Sequence, residues 1–250
     1  FVNRLNRMGL NQKLGLPIKG EGEPIIRNPG DQGWSGISLA WMSHCYEVAL
    51  TPLQTLAFYN AIANNGELLR PRLIREVKEW DRTIAKFDKE VLNPEICSPE
   101  TVAKVKQLLR NVVLKENGTG HRLNTTHLAL AGKTGTAQKN YATKDRNSLA
   151  YISTFACYFP ADDPEYSCIV IIHEPDKSVG YYGADVSGPV FKSVAQKIIA
   201  NKPLVSELPE LTLGLESLQS QYEAFYRIAG QDRKSLPDCT GMSGMDAVSI

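Results

Sequence analysis

Between residues 127 and 173 the chain carries three successive strand-like runs, and they constrain the fold more than any other feature. They are about His127–Gln138, then Leu149–Phe159, rich in Tyr, Ile, Thr and Phe, then Tyr166–His173. β-Branched and aromatic residues suit a pleated, half-buried surface. The turn Pro160-Ala161-Asp162-Asp163-Pro164 joins the last two runs and predicts a hairpin. Helical patterns bracket the runs. Ser98-Pro99-Glu100 combines a cap, a first-turn proline and a first-turn acid, and Val102, Val105, Leu108, Leu109, Val112 and Val113 follow as an apolar stripe. Beyond the loop 175–188, a helix beginning near Pro189 offers Val190, Phe191, Val194, Ala195, Ile198 and Ile199 as a core face. An antiparallel sheet packed by helices, an α+β fold, is the expected architecture.

Earlier in the chain, residues 1–50 are rich in Gly and Pro and read as loops with short ordered pieces; Asn28-Pro29-Gly30-Asp31 is a turn signal. A helix is predicted over about 51–64, capped by Thr51 with Pro52 at its first position, and Leu53, Leu56, Ala57 and Asn60 share one face. Arg72–Phe87 alternates and predicts a surface hairpin. After Asn201 the pattern changes. Residues 202–235 read as a linker with a short helix at about 216–229, and 236–250 as the opening of another module.

Composition narrows the function. With 28 basic against 27 acidic residues the net charge is +1, so no global field attracts nucleic acid. Hydrophobic residues at 42% and charged residues at 22% belong to a folded chain of one to two domains. The densest apolar run, Ile169–Ile172, is far short of the roughly 20 residues of a membrane span. The chain opens on Phe1 and stops at Ile250 within a helical pattern, so it reads as a piece of a longer protein. Its five cysteines form no CxxC pair, and no histidine stands at metal-ligand spacing to one. Cys157 and Cys168 read as small core residues in strands; a cross-strand disulfide between them stays open. Adjacent His44 and Cys45 invite a nucleophile reading, but a loop histidine beside a buried cysteine is favoured.

The stretch Ala131-Gly132-Lys133-Thr134-Gly135-Thr136-Ala137-Gln138 carries the chemistry. Lys133 supplies a positive charge, Thr134 and Thr136 supply hydroxyls suited to a carboxylate, and Gly135 leaves room for a close approach. A backbone N–H beside them suits a developing oxyanion, and an extended peptide suits such a strand edge. Taken alone, the triplet Lys133-Thr134-Gly135 reads better as an exposed strand with a solvated lysine. Its flanks change that reading.

Lys-Thr-Gly belongs to the motif set of penicillin-binding proteins and serine β-lactamases. Gly132–Gln138 resembles the corresponding strand of class B penicillin-binding proteins, the monofunctional peptidoglycan transpeptidases. Leu50-Thr51-Pro52-Leu53-Gln54, Ala61-Ile62-Ala63-Asn64-Asn65-Gly66, Gly118-Thr119-Gly120, Phe155–Pro160, Tyr181-Tyr182-Gly183 and Gly188-Pro189-Val190-Phe191 follow that family's order over roughly residues 1–200. The resemblance implies a penicillin-binding/β-lactamase-like transpeptidase fold, here partial, with 1–201 as the C-terminal part of the transpeptidase domain. It implies that Lys133, Thr134 and Thr136 hold the carboxylate of a stem peptide or β-lactam, that Gly135 provides clearance, and that the Thr136 backbone N–H is half of an oxyanion hole. It implies no cofactor and no metal, a location on the extracytoplasmic face of the inner membrane through an anchor outside this chain, and a glycosyltransferase and other division proteins as partners. The tail from Leu236 resembles the start of a PASTA module. No Ser-x-x-Lys and no Ser-x-Asn occurs in the 250 residues. The nucleophile and general base are therefore absent from this chain, which is expected to be inactive alone. A β-lactam sensor, a serine β-lactamase and a silent division scaffold are the competing readings.

Overall fold

A computed structural model describes residues 1–44, 46–139 and 149–201. The predicted 202–235 linker, its helix at 216–229, the module at 236–250, and Cys45 lie outside the described residues. Phe1–Ala200 form one unit. Its elements are α1 (Val2–Arg7), β1 (Ile25–Ile26), α2 (Ser38–Ser43), β2 (Val48–Ala49), α3 (Pro52–Ala63), β3 (Leu68–Leu69), β4 (Glu76–Glu79), β5 (Arg82–Lys86), β6 (Val91–Asn93), α4 (Pro99–Leu114), a 3-10 turn (His121–Leu123), β7 (Ala131–Lys139), β8 (Ala150–Phe159), β9 (Tyr166–His173) and α5 (Ser187–Ala200).

β7, β8 and β9 form an antiparallel sheet in that order. Side chains alternate along a strand, and the middle strand β8 buries both sets. Phe155, Cys157 and Phe159 pack with Phe191 and Ala195 of α5. Tyr158 packs with Ala57 and Ala61 of α3 and Leu109 of α4. The sheet is thus a middle layer between α5 and the pair α3–α4, the predicted α+β arrangement. Cys157 and Cys168 face each other in register, and both are free thiols.

Local chemistry sets the helix starts. Thr51 Oγ1 accepts from the Gln54 N–H at 3.1 Å, and Gln54 Oε1 accepts from the Thr51 N–H at 2.7 Å, a complete capping box. The buried Gln54 amide also donates to the Gln12 carbonyl at 3.2 Å, tying α3 to the N-terminal loop. Ser98 Oγ accepts from the Thr101 N–H and starts α4 behind Pro99.

Several expected faces differ. Leu108 is 63% exposed and stands outside the α4 stripe, of which Val102, Leu109 and Val113 are buried. In α3 the buried set is Gln54, Ala57, Ala61, Ile62 and Ala63 rather than Leu53 and Leu56. On α5, Phe191 and Ala195 are buried while Val190 and Val194 are exposed. The first strand begins at Ala131, four residues later than His127. Thr125 Oγ1 accepts from the Leu128 N–H at 3.0 Å, and this local turn holds the chain out of the ladder. The predicted hairpin over Arg72–Phe87 is β4–β5, with Trp80 almost fully exposed at its tip.

Two stability outcomes follow. Phe191 packs against Phe155 in a tilted pair and Phe159 edge-on, at centroid distances of 5.1 and 5.6 Å, so Phe191→Ala is expected to cost about 3–5 kcal/mol in urea unfolding. An unfolding midpoint equal to wild type would contradict this packing. Burial foremost, with Cys168 beside it, pushes the Cys157 thiol well above its ordinary range. Cys157 is therefore expected to resist a thiol reagent at pH 8 in the folded protein and to react once the protein is unfolded, as counted by mass spectrometry.

Candidate active site

The pairing of β8 decides what β7 presents. The Glu174 N–H donates to the Tyr151 carbonyl at 2.8 Å. Backbone partners alternate along an antiparallel strand. Residues 151, 153, 155 and 157 therefore turn their N–H and C=O toward β9, and 152, 154 and 156 turn theirs toward β7. Register places Lys133 opposite Ala156, Thr134 opposite Phe155, Gly135 opposite Thr154 and Thr136 opposite Ser153. Lys133, Gly135 and Ala137 thus spend their backbone groups on β8. Thr134 and Thr136 present theirs at the outer edge of the sheet, where no further strand pairs among the described residues.

Two turns wall this edge and enclose a groove of about 720 Å³. One is the 118–123 turn after α4. Its Thr119 Oγ1 lies 2.8 Å from Thr134 Oγ1. The other is the 182–185 turn before α5. Its Gly183 N–H donates to Thr136 Oγ1 at 3.3 Å. A Cβ at Gly183 would stand 2.4 Å from the Thr154 carbonyl oxygen and 2.9 Å from that of Gly135, so only glycine lies this close to the strand. The Gly188 N–H holds the Gly183 carbonyl at 2.8 Å. A buried Ser153–Ser187 hydroxyl pair, 2.9 Å apart, pins the start of α5 to β8.

Charge and aromatic groups complete the walls. Arg122 Nη1 reaches Asp185 Oδ1 at 2.8 Å and links the two turns across the groove. Arg122 is 79% exposed, so this pair is solvent-screened and worth at most about 1 kcal/mol. Tyr151 and Tyr181 stack at 4.2 Å, and Tyr181 leans on Tyr182 at 4.5 Å. The Tyr181 hydroxyl donates to that of Tyr182, which raises the Tyr181 phenol above its ordinary range. Among the described residues, no three His, Cys, Asp or Glu side chains come together as metal ligands.

Of the residues singled out from sequence, Thr134 and Thr136 line the groove side by side. Lys133 does not line it; its ammonium donates to the Thr134 carbonyl at 2.7 Å. Gly135 sits on the strand beneath Gly183. His44 is exposed at the end of α2 and is not among the groove-lining residues. Sequence reading missed Thr119, His121, Arg122 and Asp185 as groove residues. The glycine-flanked turn at 118–120 marks Thr119 as a loop residue, but nothing in the sequence pairs Arg122 with Asp185, 63 positions apart.

Comparison with known proteins gives the same picture. The family model described as the penicillin binding protein transpeptidase domain matches residues 1–196. The chain is 31% identical over 225 residues to penicillin-binding protein PbpB of Mycolicibacterium smegmatis, covering 85% of this chain and 34% of that protein. It is 31% identical over 194 residues to the peptidoglycan D,D-transpeptidase FtsI of Escherichia coli, covering 78% of this chain and 30% of that protein. The chain thus spans about a third of the length of the curated relatives it matches. Penicillin-binding protein 3 of Mycobacterium tuberculosis superposes with a TM-score of 0.64 at 29% identity, over 79% of this chain and 45% of that one. The same protein complexed with aztreonam gives 0.61 at 28% identity, over the same shares of the two chains. The order of elements, the open Lys133-Thr134-Gly135-Thr136 edge and these matches lead to one conclusion: the chain belongs to the penicillin-binding protein transpeptidase domain family.

Proposed function

We propose that this chain is the C-terminal part of the catalytic domain of a peptidoglycan D,D-transpeptidase, and that the β7 edge is its substrate strand. The observation that carries the reading is the donor edge itself: two hydroxyls, from Thr134 and Thr136, beside outward-facing backbone N–H groups on a strand with an open side.

The reaction uses that edge as follows. A stem peptide ending in D-Ala-D-Ala lies along β7, with its terminal carboxylate on the Thr134 and Thr136 hydroxyls. A serine supplied by the rest of the protein attacks the penultimate carbonyl carbon. Negative charge develops on the carbonyl oxygen, and the Thr136 backbone N–H stabilises it as one of two oxyanion donors. A lysine next to the serine takes the serine proton and passes it to the departing amine, so D-Ala leaves and an acyl ester remains. The amine of a second stem peptide attacks the ester, forms the cross-link and returns the proton to the serine. A β-lactam enters the same reaction but keeps its leaving amine tethered. The aztreonam complex of the M. tuberculosis relative supports β-lactams as ligands. Lys133, bonded to the Thr134 carbonyl, adds positive charge next to the carboxylate position.

The working protein is extracytoplasmic and membrane-anchored, and it acts with a glycosyltransferase and other division proteins; residues 202–235 are a linker and 236–250 the start of a PASTA-like module. No helix among the described residues is long and apolar enough to cross a membrane.

The test is acylation by benzylpenicillin, read by intact mass. The full-length protein is expected to gain one adduct per molecule, and the 250-residue chain alone none, because its sequence holds no Ser-x-x-Lys. A stoichiometric adduct on the isolated chain would overturn the assignment. In the full-length protein, Thr134→Val is expected to lower the second-order acylation rate by about 10–100-fold, the range for losing a hydrogen bond to a charged group. An unchanged rate would remove Thr134 from the carboxylate site.

A further inference from the structure

The two hydroxyls of the β7 edge each receive a partner from outside the strand, and from opposite walls of the groove. A threonine hydroxyl holds one proton and two lone pairs. Thr136 Oγ1 uses a lone pair on the Gly183 N–H, and no protein acceptor among the described residues takes its proton. Thr134 Oγ1 has one partner among the described residues, Thr119 Oγ1 at 2.8 Å, in a contact that either hydroxyl can donate. A ligand carboxylate settles the choice. It accepts only, so it requires the Thr134 proton, and the Thr119 hydroxyl must then donate to Thr134. Each hydroxyl that faces the ligand is thereby fed by a donor behind it, and chained hydrogen bonds of this kind reinforce one another.

Both feeding groups are held by backbone packing. A Cβ at Gly118 would lie 2.2 Å from the Val112 carbonyl oxygen, so the 118–120 turn is seated directly on the end of α4. The Gly120 N–H donates to that same carbonyl at 3.0 Å. On the other wall, the clearance at Gly183 holds its N–H above Thr136.

We propose that Thr119 is a positioning residue for the carboxylate cradle: by donating to Thr134 it commits the Thr134 proton to an anionic ligand, as the Gly183 N–H does for Thr136. This deepens the transpeptidase reading and rests on it. Thr119 touches Thr134 and acts through it, so its effect falls most heavily on ligands bearing a free carboxylate.

The test compares acylation of the full-length protein by benzylpenicillin and by its methyl ester. Wild type reacts faster with the acid. Thr119→Val is expected to lower the acid-to-ester rate ratio about tenfold by slowing the acid more than the ester, and Thr119→Ser to restore the ratio. In a Thr134→Val background, Thr119→Val is expected to change nothing further, since its target hydroxyl is gone. Equal loss for acid and ester, no change in the ratio, or a full additive loss in the Thr134→Val background would each overturn the proposal. A wild-type protein that benzylpenicillin does not acylate would overturn the transpeptidase reading, and with it this one.

Discussion

Everything at the candidate site depends on the hydrogen-bonded register between β7 and β8. The side-chain period of a strand is two, so a slip of one residue would carry every β7 side chain to the opposite face. It would also exchange which backbone groups point outward. In the observed register Thr136 faces Ser153, and Thr134 and Thr136 keep both their hydroxyls and their outward N–H groups at the groove. One residue either way would put Gly135 there, with no hydroxyl to offer. The register is fixed from behind: β8 is buried on both faces, with Phe155, Cys157 and Phe159 on one side and Tyr158 on the other. Sliding β8 would drive aromatic rings and a tyrosine into each other's places. The binding edge thus inherits its precision from hydrophobic packing in the middle layer.

The walls of the groove are attached to the same layer by different means. The 118–123 turn is anchored through α4 and through Leu123, buried among Val113, Phe155 and Phe191. The 182–185 turn is anchored through the buried Ser153–Ser187 pair and by Gly188, where a Cβ would stand only 2.7 Å from the Leu123 side chain. Leu123 and Gly188 therefore lock the two walls to each other beneath the groove, while Arg122 and Asp185 link them above it. The lower lock is buried and rigid; the upper one is exposed and weak.

Local signals were legible in the sequence, and long-range contacts were not. The full extent of β9, Tyr166–His173, is legible because Pro164 and the residues after His173 bracket a run dominated by apolar, β-branched residues. α3 was read to within a residue at each end, because Thr51-Pro52 and Asn64-Asn65-Gly66 act within a turn of the helix. The start of α5 was placed two residues late. Ser187 starts that helix and bonds to Ser153, 34 positions away, which no periodicity reveals. Leu108 was assigned to the core because it stands at helical spacing from Val105 and Val112, yet the core on that side is narrow enough to leave it in solvent. Thr134 and Thr136 are legible from the Lys133-Thr134-Gly135-Thr136 motif and its flanks, but Thr119, the residue that bonds one of them, lies 15 positions upstream in a turn whose position depends on α4.

The transpeptidase reading asks this groove to prefer anions, and the division of its polar groups supplies a reason. An open strand edge offers donors and acceptors in alternation and would by default recruit another strand. Here the Lys133 ammonium covers the outward carbonyl of Thr134. The two threonine oxygens are met by partners from Thr119 and Gly183. The protein itself takes up part of the acceptor capacity of this edge, while the outward N–H groups and the Thr136 hydroxyl proton stay available. A neutral extended strand needs both kinds of partner and finds mainly one. A chain end bearing a carboxylate needs only donors, so on the proposed reading an edge built for pairing serves a peptide terminus.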